Sequence, residues 1–566
     1  VTILGRKDIQ YIGITPPLMN HKELSEWLNA TPIEDYKEDV KRIFSVKAFD
    51  DVSDSLADLT EFVLYRRGQV MILCANITAA EDLAGQLSGV FEGPPSAILD
   101  LKLSPEHRDD LRYLSRSIME RYPECLMTKD LGKMVSRGIA FIHEGVSASQ
   151  RRILSGSWDD ELLPVIVMPI RFAIASGMRA SLVFLMGVFM QNFGKELAHE
   201  ESVTMLSEWQ LSEVLGSAGR RGLDNEGFGI VVTDNQSERT RILAKYFDKD
   251  SKGNLVPLLG EVDSEMDETE NIQDLVLMQL CGSRDSEEDP FSVIDRTFWG
   301  SSSKVTDIHT KTTEEPDDSL VESLLSMRST KATKKRAKEI PDSSVKIVSI
   351  RPDKIEGLVH SGSREIWHYI TLRSKDGVSC SCESWKYQGI RKHRLCKHLV
   401  KFSDYVLKQD ETKAYAVGVI VQALRGLEIF GELEADGLIT REGSQISCTP
   451  LGENVTVLGV PVKDAKRVMR GISDKRRDLK SILRSLVRAR KGMTEDVVKQ
   501  VLDKLPAKNI DDIICEEHVP GIIENCLEEL EYINSILYGL MDKKNPLRIE
   551  SKQLEKSLHT LLGAMK

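Results

Sequence analysis

Between about residues 40 and 235, short apolar runs alternate with stretches of helical period, and this constrains the fold more than anything else in the sequence. The candidate strands are "GQVMILCA", "GIAFIHE", "LLPVIVM", "ASLVFLMG" and "FGIVVT", with helical segments such as "ITAAEDLAGQL" and "SASQRRILSGSW" between them. Strand–helix alternation predicts a parallel α/β sheet, whose strands are apolar on both faces because helices cover both. The most apolar stretch, "ELLPVIVMPIRFAIASGMRASLVFLMGVFM", is broken by Arg171, Arg179 and turn residues. It is expected to form two buried strands and no membrane span.

A chain of 566 residues exceeds what one core serves, so further units are expected downstream. Residues 258 to 290 turn acidic around "LVLMQLCG", and residues 301–344 are expected to be a flexible linker flanking a short helix near Leu320–Met327. From 345, "SVKIVSIRPDKIEGLVHSGSREIWHYITLRSKDGVSCSC" alternates in period two and predicts two or three antiparallel strands. "AYAVGVIVQALRGLEIFGELEADGLI" predicts an amphipathic helix, "TREGSQISCTPLGENV" a hairpin, and residues 461–566 a helical bundle.

Six of the nine cysteines are scattered singly (Cys74, Cys125, Cys281, Cys448, Cys515, Cys526), and no signal peptide is evident. This predicts a reducing, cytoplasmic setting without a disulfide framework. The other three cluster in "CSCESWKYQGIRKHRLCKHL", where Cys380, Cys382, Cys396 and His398 are spaced C-x-C-x13-C-x-H. Residues i and i+2 of a strand share a face, so two thiolates can lie side by side, and the second pair opens a predicted helix. Three thiolates and an imidazole suit a closed, structural Zn2+ site. The alternative, reduced cysteines packed in a core, fits poorly in so polar a segment. The pattern resembles the SWIM zinc finger, a strand-strand-helix module associated in its family with DNA or protein partners, here spanning residues 345–408. Lys386, Arg391, Lys392 and Arg394, with Trp385 and Tyr387, would suit phosphate contacts and base stacking. A solvated charged face with aromatics packed under the metal is the other reading.

"VLGSAGRRGLDNEGFGIVVT" (214–233) resembles the sixth motif of superfamily-2 helicases, in the Ski-two-like group that includes archaeal repair helicases. Other pieces agree in order. "GQVMILCANITAAEDLAGQL" resembles the motif-four region, "GIAFIHEGVSASQRRIL" the H-x-G segment, and "VIVMPIRFAIASGMRAS" the motif-five region. "IQYIGITPPLMNHKELSEWLNA" resembles the motif-three strand and its E-x-x-x-W-L helix. The resemblance implies residues 1–40 as the tail of a first RecA-like domain with its linker, and 41–240 as a second RecA-like domain. It implies Gly177, Gly216 and Gly219 as nucleotide-binding and Arg220 as the arginine-finger position. His143 falls in the structural H-x-G turn.

The chain contains no G-x-x-x-x-G-K-[ST] and no D-E-x-H, so ATP and Mg2+ are expected only where a first RecA-like domain is present. Several motifs are also worn. Thr15-Pro16-Pro17 replaces S-A-T, Arg179 replaces an Asn, and Glu213 and Ser217 replace the Gln and first Arg of motif six. The chain alone is expected to be inactive. It begins with Val1, and an upstream half carrying the missing motifs is expected.

The family continues with a winged helix and a helical bundle that follows single-stranded DNA. "LVLMQLCGSRDSEEDPFSVIDRTFWG" resembles the opening of the winged helix (241–300), and "GLEIFGELEADGLITREGSQISCTPLGENV" its closing helix and wing (409–460). The zinc module lies between them and reads as an inserted domain. Residues 461–491 carry twelve Lys/Arg against three Asp/Glu, with Arg476, Lys480, Arg484 and Arg488 as one helical stripe opposite Leu479, Leu483, Leu486 and Val487. This stripe favours nucleic acid although the net charge is −12. The expected partners are single-stranded or branched DNA in preference to RNA, a possible protein partner through the finger, and no membrane, in a prokaryotic or archaeal cytoplasm. The function read from this is the zinc- and nucleic-acid-binding C-terminal part of an ATP-dependent helicase-like protein, in repair or remodelling. The alternative is a scaffold of helicase origin that has lost turnover.

Overall fold

The parallel sheet has six strands, one more than the apolar runs mark. The computed structural model describes residues 12–15, 17–33, 40–48, 68–92, 98–99, 101–192, 202–261, 269–282, 325, 329–351, 354–361, 366–373, 377–385, 394–409, 413–442, 445–473, 478–487, 494–514 and 519–565. A short helix, α1 (His21–Leu28), precedes β1 (Lys41–Ala48), β2 (Val70–Cys74), α2 (Ile77–Ser88), α3 (Pro105–Met119), α4 (Leu126–Val135) and β3 (Ile139–Phe141). There follow α5 (Ala148–Asp159), β4 (Val165–Pro169), α6 (Ile170–Ser176), β5 (Leu182–Met186), the hairpin β6 (Phe189–Asn192) and β7 (Ser202–Met205), α7 (Glu208–Gly216), β8 (Glu226–Thr233) and α8 (Gln236–Tyr246). A small hairpin, β9 (Phe247–Lys249) and β10 (Leu255–Pro257), comes after them.

The spatial order is β1-β8-β5-β2-β4-β3, parallel throughout. Every residue of β2, β3 and β4 is buried, as expected of a sheet covered on both faces. Strand β1 is the exception. It is an edge strand, half exposed, and its sequence "KRIFSVKA" has no apolar run to betray it. The helix starts follow local chemistry. Asn76 and Ser104 cap α2 and α3, and Ser147 with Gln150 and Ser207 with Gln210 form capping boxes on α5 and α7.

Downstream lie α9 (Thr269–Gly282), α10 (Lys331–Lys338), β11 (Val345–Arg351), β12 (Lys354–Ser361), β13 (Ile366–Arg373), β14 (Gly377–Cys380), α11 (Lys397–Leu407) and α12 (Lys413–Ala435). The hairpin β15 (Ile439–Glu442) and β16 (Gln445–Cys448), α13 (Pro450–Val457) and α14 (Val462–Ser473) complete this part. Strands β11 to β14 form a four-stranded antiparallel meander, where two or three strands were expected. Residues 329–344 depart from the linker expectation. Thr330 caps α10, and Ala337 and Ile340 are buried in the same core as β11 to β14, so this basic segment is folded. Of the helix expected near 320–327, only Leu325 is among the described residues.

The long helix α12 joins two structures. Its first half contributes Ala416, Val419, Ile420 and Ala423 to the core of the meander, and it also packs on α9 and the β15–β16 hairpin. Gln273 on α9 donates to Glu432 on α12 at 3.0 Å, and Lys466 on α14 donates to both. Residues 269–282 and 413–470 therefore form one body around an intervening module. Cys281 and Cys448, expected to be reduced, are joined as a disulfide between α9 and β16, with Cα atoms 5.5 Å apart. Their 167-residue separation hid the pairing, because only the docking of α9 on the hairpin brings them together.

By packing, residues Asp263–Arg470 form one unit, and the parallel sheet with Gly471–Lys566 forms another. The latter ends in α15 (Leu479–Leu486), α16 (Glu495–Lys504), α17 (Pro520–Leu540) and α18 (Leu547–Met565). The start of α17 docks on the loop before α5. Gly521 N–H donates to Gly145 carbonyl at 2.9 Å, Ala148 N–H donates to the buried Glu524 carboxylate at 2.8 Å, and Asn525 donates to Glu144 carbonyl. A Cβ on Gly521 would sit 2.5 Å from the Glu144 carbonyl oxygen, too close for either backbone to tolerate. Gly521→Ala is expected to destabilise this unit by about 1–3 kcal/mol, as overpacking does. Gly156→Ala, on open helix surface, should leave melting unchanged or slightly raised. Equal melting of the two variants would rule out this docking.

Candidate metal centre and nucleic-acid interface

Cys380 ends β14 and Cys382 lies in the bend that follows, where its thiol turns to the same site. Cys396 is the N-cap residue of α11 and His398 lies in its first turn. All four side chains are buried, and their ligand atoms lie within 4.8 Å of one another. Cys380 Sγ is 3.9 Å from His398 Nδ1. A tetrahedral ion with metal–sulfur bonds of about 2.3 Å requires ligand separations of about 3.8 Å. The donor set and its spacing therefore fit a metal ion. Trp385 N–H points at Cys382 Sγ at 3.3 Å, the kind of outer contact that stabilises a thiolate ligand. Hydrogen bonds from Cys380 and Cys396 push the Cys382 thiol well below its ordinary pKa. The helix N-terminus at Cys396 favours negative charge there as well.

Of the two readings of the surroundings, Trp385 fits packing under the metal. Trp385, offered for base stacking, is 5% exposed and packs in the core with the ligand cysteines. Arg394 is exposed, while Lys386, Tyr387, Arg391 and Lys392 lie outside the described residues.

In the parallel-sheet unit, the segment with Gly177 and the segment Gly216–Arg220 are brought together where β5 and β8 begin. Ala180 bridges Ala218, and Gly219 N–H donates to Ala180 carbonyl at 2.7 Å. Gly177 ends α6 in the left-handed conformation, and Gly216 ends α7 with open space beside it. Gly219 (φ 93°) faces Val40, whose Cγ1 would lie 2.5 Å from an added Cβ, so close packing alone demands glycine there.

Arg220 is 8% exposed, and its guanidinium is engaged internally. Nε and one terminal nitrogen grip Asp224 at 3.0 and 2.9 Å, while the other donates to Gln69 Oε1 at 3.0 Å and lies 3.4 Å from Glu161. Ser181 donates to the same Asp224 carboxylate, and Gln69 ties back to the carbonyls of Trp158 and Leu163. In this geometry Arg220 is a clamp linking the starts of β2, β5 and β8. An arginine finger would have to leave Asp224. His143 is a turn residue: Nδ1 accepts from Gly145 N–H at 2.9 Å, and Nε2 lies 2.9 Å from Glu81.

Two of the four stripe residues, Lys480 and Arg484, are among the described residues. Leu479, Leu483, Leu486 and Val487 are buried, as the opposite apolar face requires. Lys480 donates to Leu505 carbonyl at 2.6 Å and Arg484 pairs with Glu495 at 2.8 Å, and both side chains remain on the surface of the bundle. Arg476 and Arg488 lie outside the described residues. A second basic cluster went unread in the sequence. Lys543, Lys544, Arg548, Lys552 and Lys556 line a cleft of about 420 Å³ at the turn between α17 and α18, with no carboxylate among its lining residues. Arg548 stacks over Tyr538 at 4.1 Å there. The signal in "YGLMDKKNPLRIESKQLEK" is diluted by Asp542, Glu550 and Glu555, none of which lines the cleft.

Among the described residues, no helix is long and apolar enough to cross a membrane. No protein-family model matches the chain. Over 236 residues it is 28% identical to the ATP-dependent DNA helicase Hel308 of Thermoplasma volcanium, covering 40% of this chain and 30% of that protein. Over 311 residues it is 22% identical to Hel308 of Methanocella arvoryzae, covering 52% and 38%, and over 250 residues 22% identical to that of Caldivirga maquilingensis, covering 42% and 31%. The chain thus spans about a third of the length of these relatives. This similarity and the parallel six-stranded sheet support a Ski-two-like, superfamily-2 helicase region.

Proposed function

We propose that this chain is the nucleic-acid-binding, C-terminal part of a superfamily-2 helicase-like protein, with DNA as its partner and a structural Zn2+ held by Cys380, Cys382, Cys396 and His398. The observation that carries it is the parallel six-stranded α/β sheet, taken with the chain's similarity to archaeal DNA helicases. The packing of α9 with α12 to α14 around residues 331–407 supports an inserted, SWIM-type zinc module within a winged helix. Gly177, Gly216 and Gly219 would contribute to a nucleotide site only beside a first RecA-like domain, which would supply the phosphate loop and the Mg2+ carboxylate. A scaffold without turnover is the second reading, favoured by the internal engagement of Arg220.

Incubated with MgATP and single-stranded DNA, the chain is expected to release no phosphate and to bind DNA equally well with or without ATP. Phosphate release above background, or a strict requirement for ATP in binding, would contradict the proposal.

A further inference from the structure

The β11–β14 meander buries one face against α11 and α12, and among the described residues its other face carries exposed side chains. Trp367 and Tyr369 stand two residues apart on β13, so both project to that other face, and they are 38% and 43% exposed. Lys346 Nζ lies 4.7 Å from the Trp367 ring centroid, and His360, opposite Trp367 in register, meets its edge at 5.1 Å. Val348, at the bulge in β11, adds exposed apolar surface. Strands β11 to β13 carry Lys346, Arg351, Lys354 and Arg373 against a single carboxylate, Glu356. That carboxylate is held by Lys354 and the Tyr369 hydroxyl, which fixes the Tyr369 ring.

Large aromatics grouped on a solvent-facing sheet mark a contact surface. Its chemistry selects the occupant. Two aromatic side chains on one strand, with cations on flanking strands of a chain whose net charge is −12, suit flat, π-faced groups joined by a negative backbone. We infer that this face is a stacking platform for single-stranded nucleic acid. Bases stack on Trp367 and Tyr369, and Lys346, Arg351 and Arg373 meet the phosphates. The inference rests on the nucleic-acid reading above and assigns part of that binding to residues the zinc ligands only support.

The test uses the full, zinc-loaded chain and fluorescence anisotropy with labelled oligo(dT) and oligo(U), which distinguishes DNA from RNA as the source of the strand. Trp367→Ala with Tyr369→Ala should weaken binding about tenfold or more, the scale of losing stacked bases. Trp367→Phe with Tyr369→Phe should retain most of the affinity, because stacking survives. Lys346→Glu should also weaken binding and make it less sensitive to salt. Unchanged affinity in the double alanine variant would overturn the inference, leave the chain's DNA binding standing and fit a protein-docking face instead. A phenylalanine pair as weak as the alanine pair would equally overturn stacking. Wild-type chain that binds neither oligonucleotide would overturn the inference together with the reading beneath it.

Discussion

Cys380→Ser combined with Cys396→Ser is expected to abolish zinc binding and unfold residues 345–407, while the parallel-sheet unit keeps its structure. Serine nearly matches cysteine in size, so loss of packing is a minor part of the effect. The major part is the ion. Structural zinc contributes on the order of 10–16 kcal/mol to small zinc modules, more than the whole stability of many domains. The three cysteines also sit inside the module's core beside Trp385, Leu395, Val400 and Phe402, so loss of the ion spreads directly into that core. Metal analysis should find one zinc per wild-type chain and none in the variant. Limited proteolysis should then cut the variant between 345 and 407. A variant that keeps wild-type protease resistance there would mean that the cysteines are ordinary core residues.

Arg220→Ala is expected to cost the parallel-sheet unit about 3–5 kcal/mol, the usual penalty for leaving a buried charge without its partner. The charge left behind is Asp224, which Arg220 grips with two nitrogens. Burial alone would raise the Asp224 pKa, but the Arg220 hydrogen bonds and charge outweigh it and hold the carboxyl below its ordinary value. Its contribution to stability is therefore complete above its unfolded pKa of about 3.9 and is lost as pH falls through the lower folded value. Melting temperature followed from pH 7 downwards should show this acid limb in the wild type and a weaker one in the variant. If Arg220→Ala melted like the wild type, the clamp would be refuted and a finger-like role for Arg220 would regain its case.

These two sites differ in how much the sequence told. The cluster of Cys380, Cys382, Cys396 and His398 was legible because strand and helix periods are short-range, so C-x-C and C-x-H fix which side chains share a face. The strands from β2 to β5 and β8 were legible for the related reason that burial on both faces leaves uninterrupted apolar runs. Arg220 was found as a position but not as a clamp, since Gln69 and Glu161 reach it from 151 and 59 residues away. The same distance effect concealed the Cys281–Cys448 pair and the docking of α17 through Gly521. Trp385 had two readings in the sequence, base stacking or packing under the metal, and its burial fits the second, whereas Trp367, which the sequence did not single out, is placed on the solvent side by the sheet's pleat.

Nucleic acid is expected to bind this chain through phosphates and stacked bases and without ATP. Equilibrium binding of the zinc-loaded chain to single-stranded DNA, measured from 50 to 200 mM salt without nucleotide, tests it most directly. The expected result is a log–log plot falling with a slope of several units, about 0.7 per phosphate contacted. A flat plot, or no binding at the lowest salt, would contradict it.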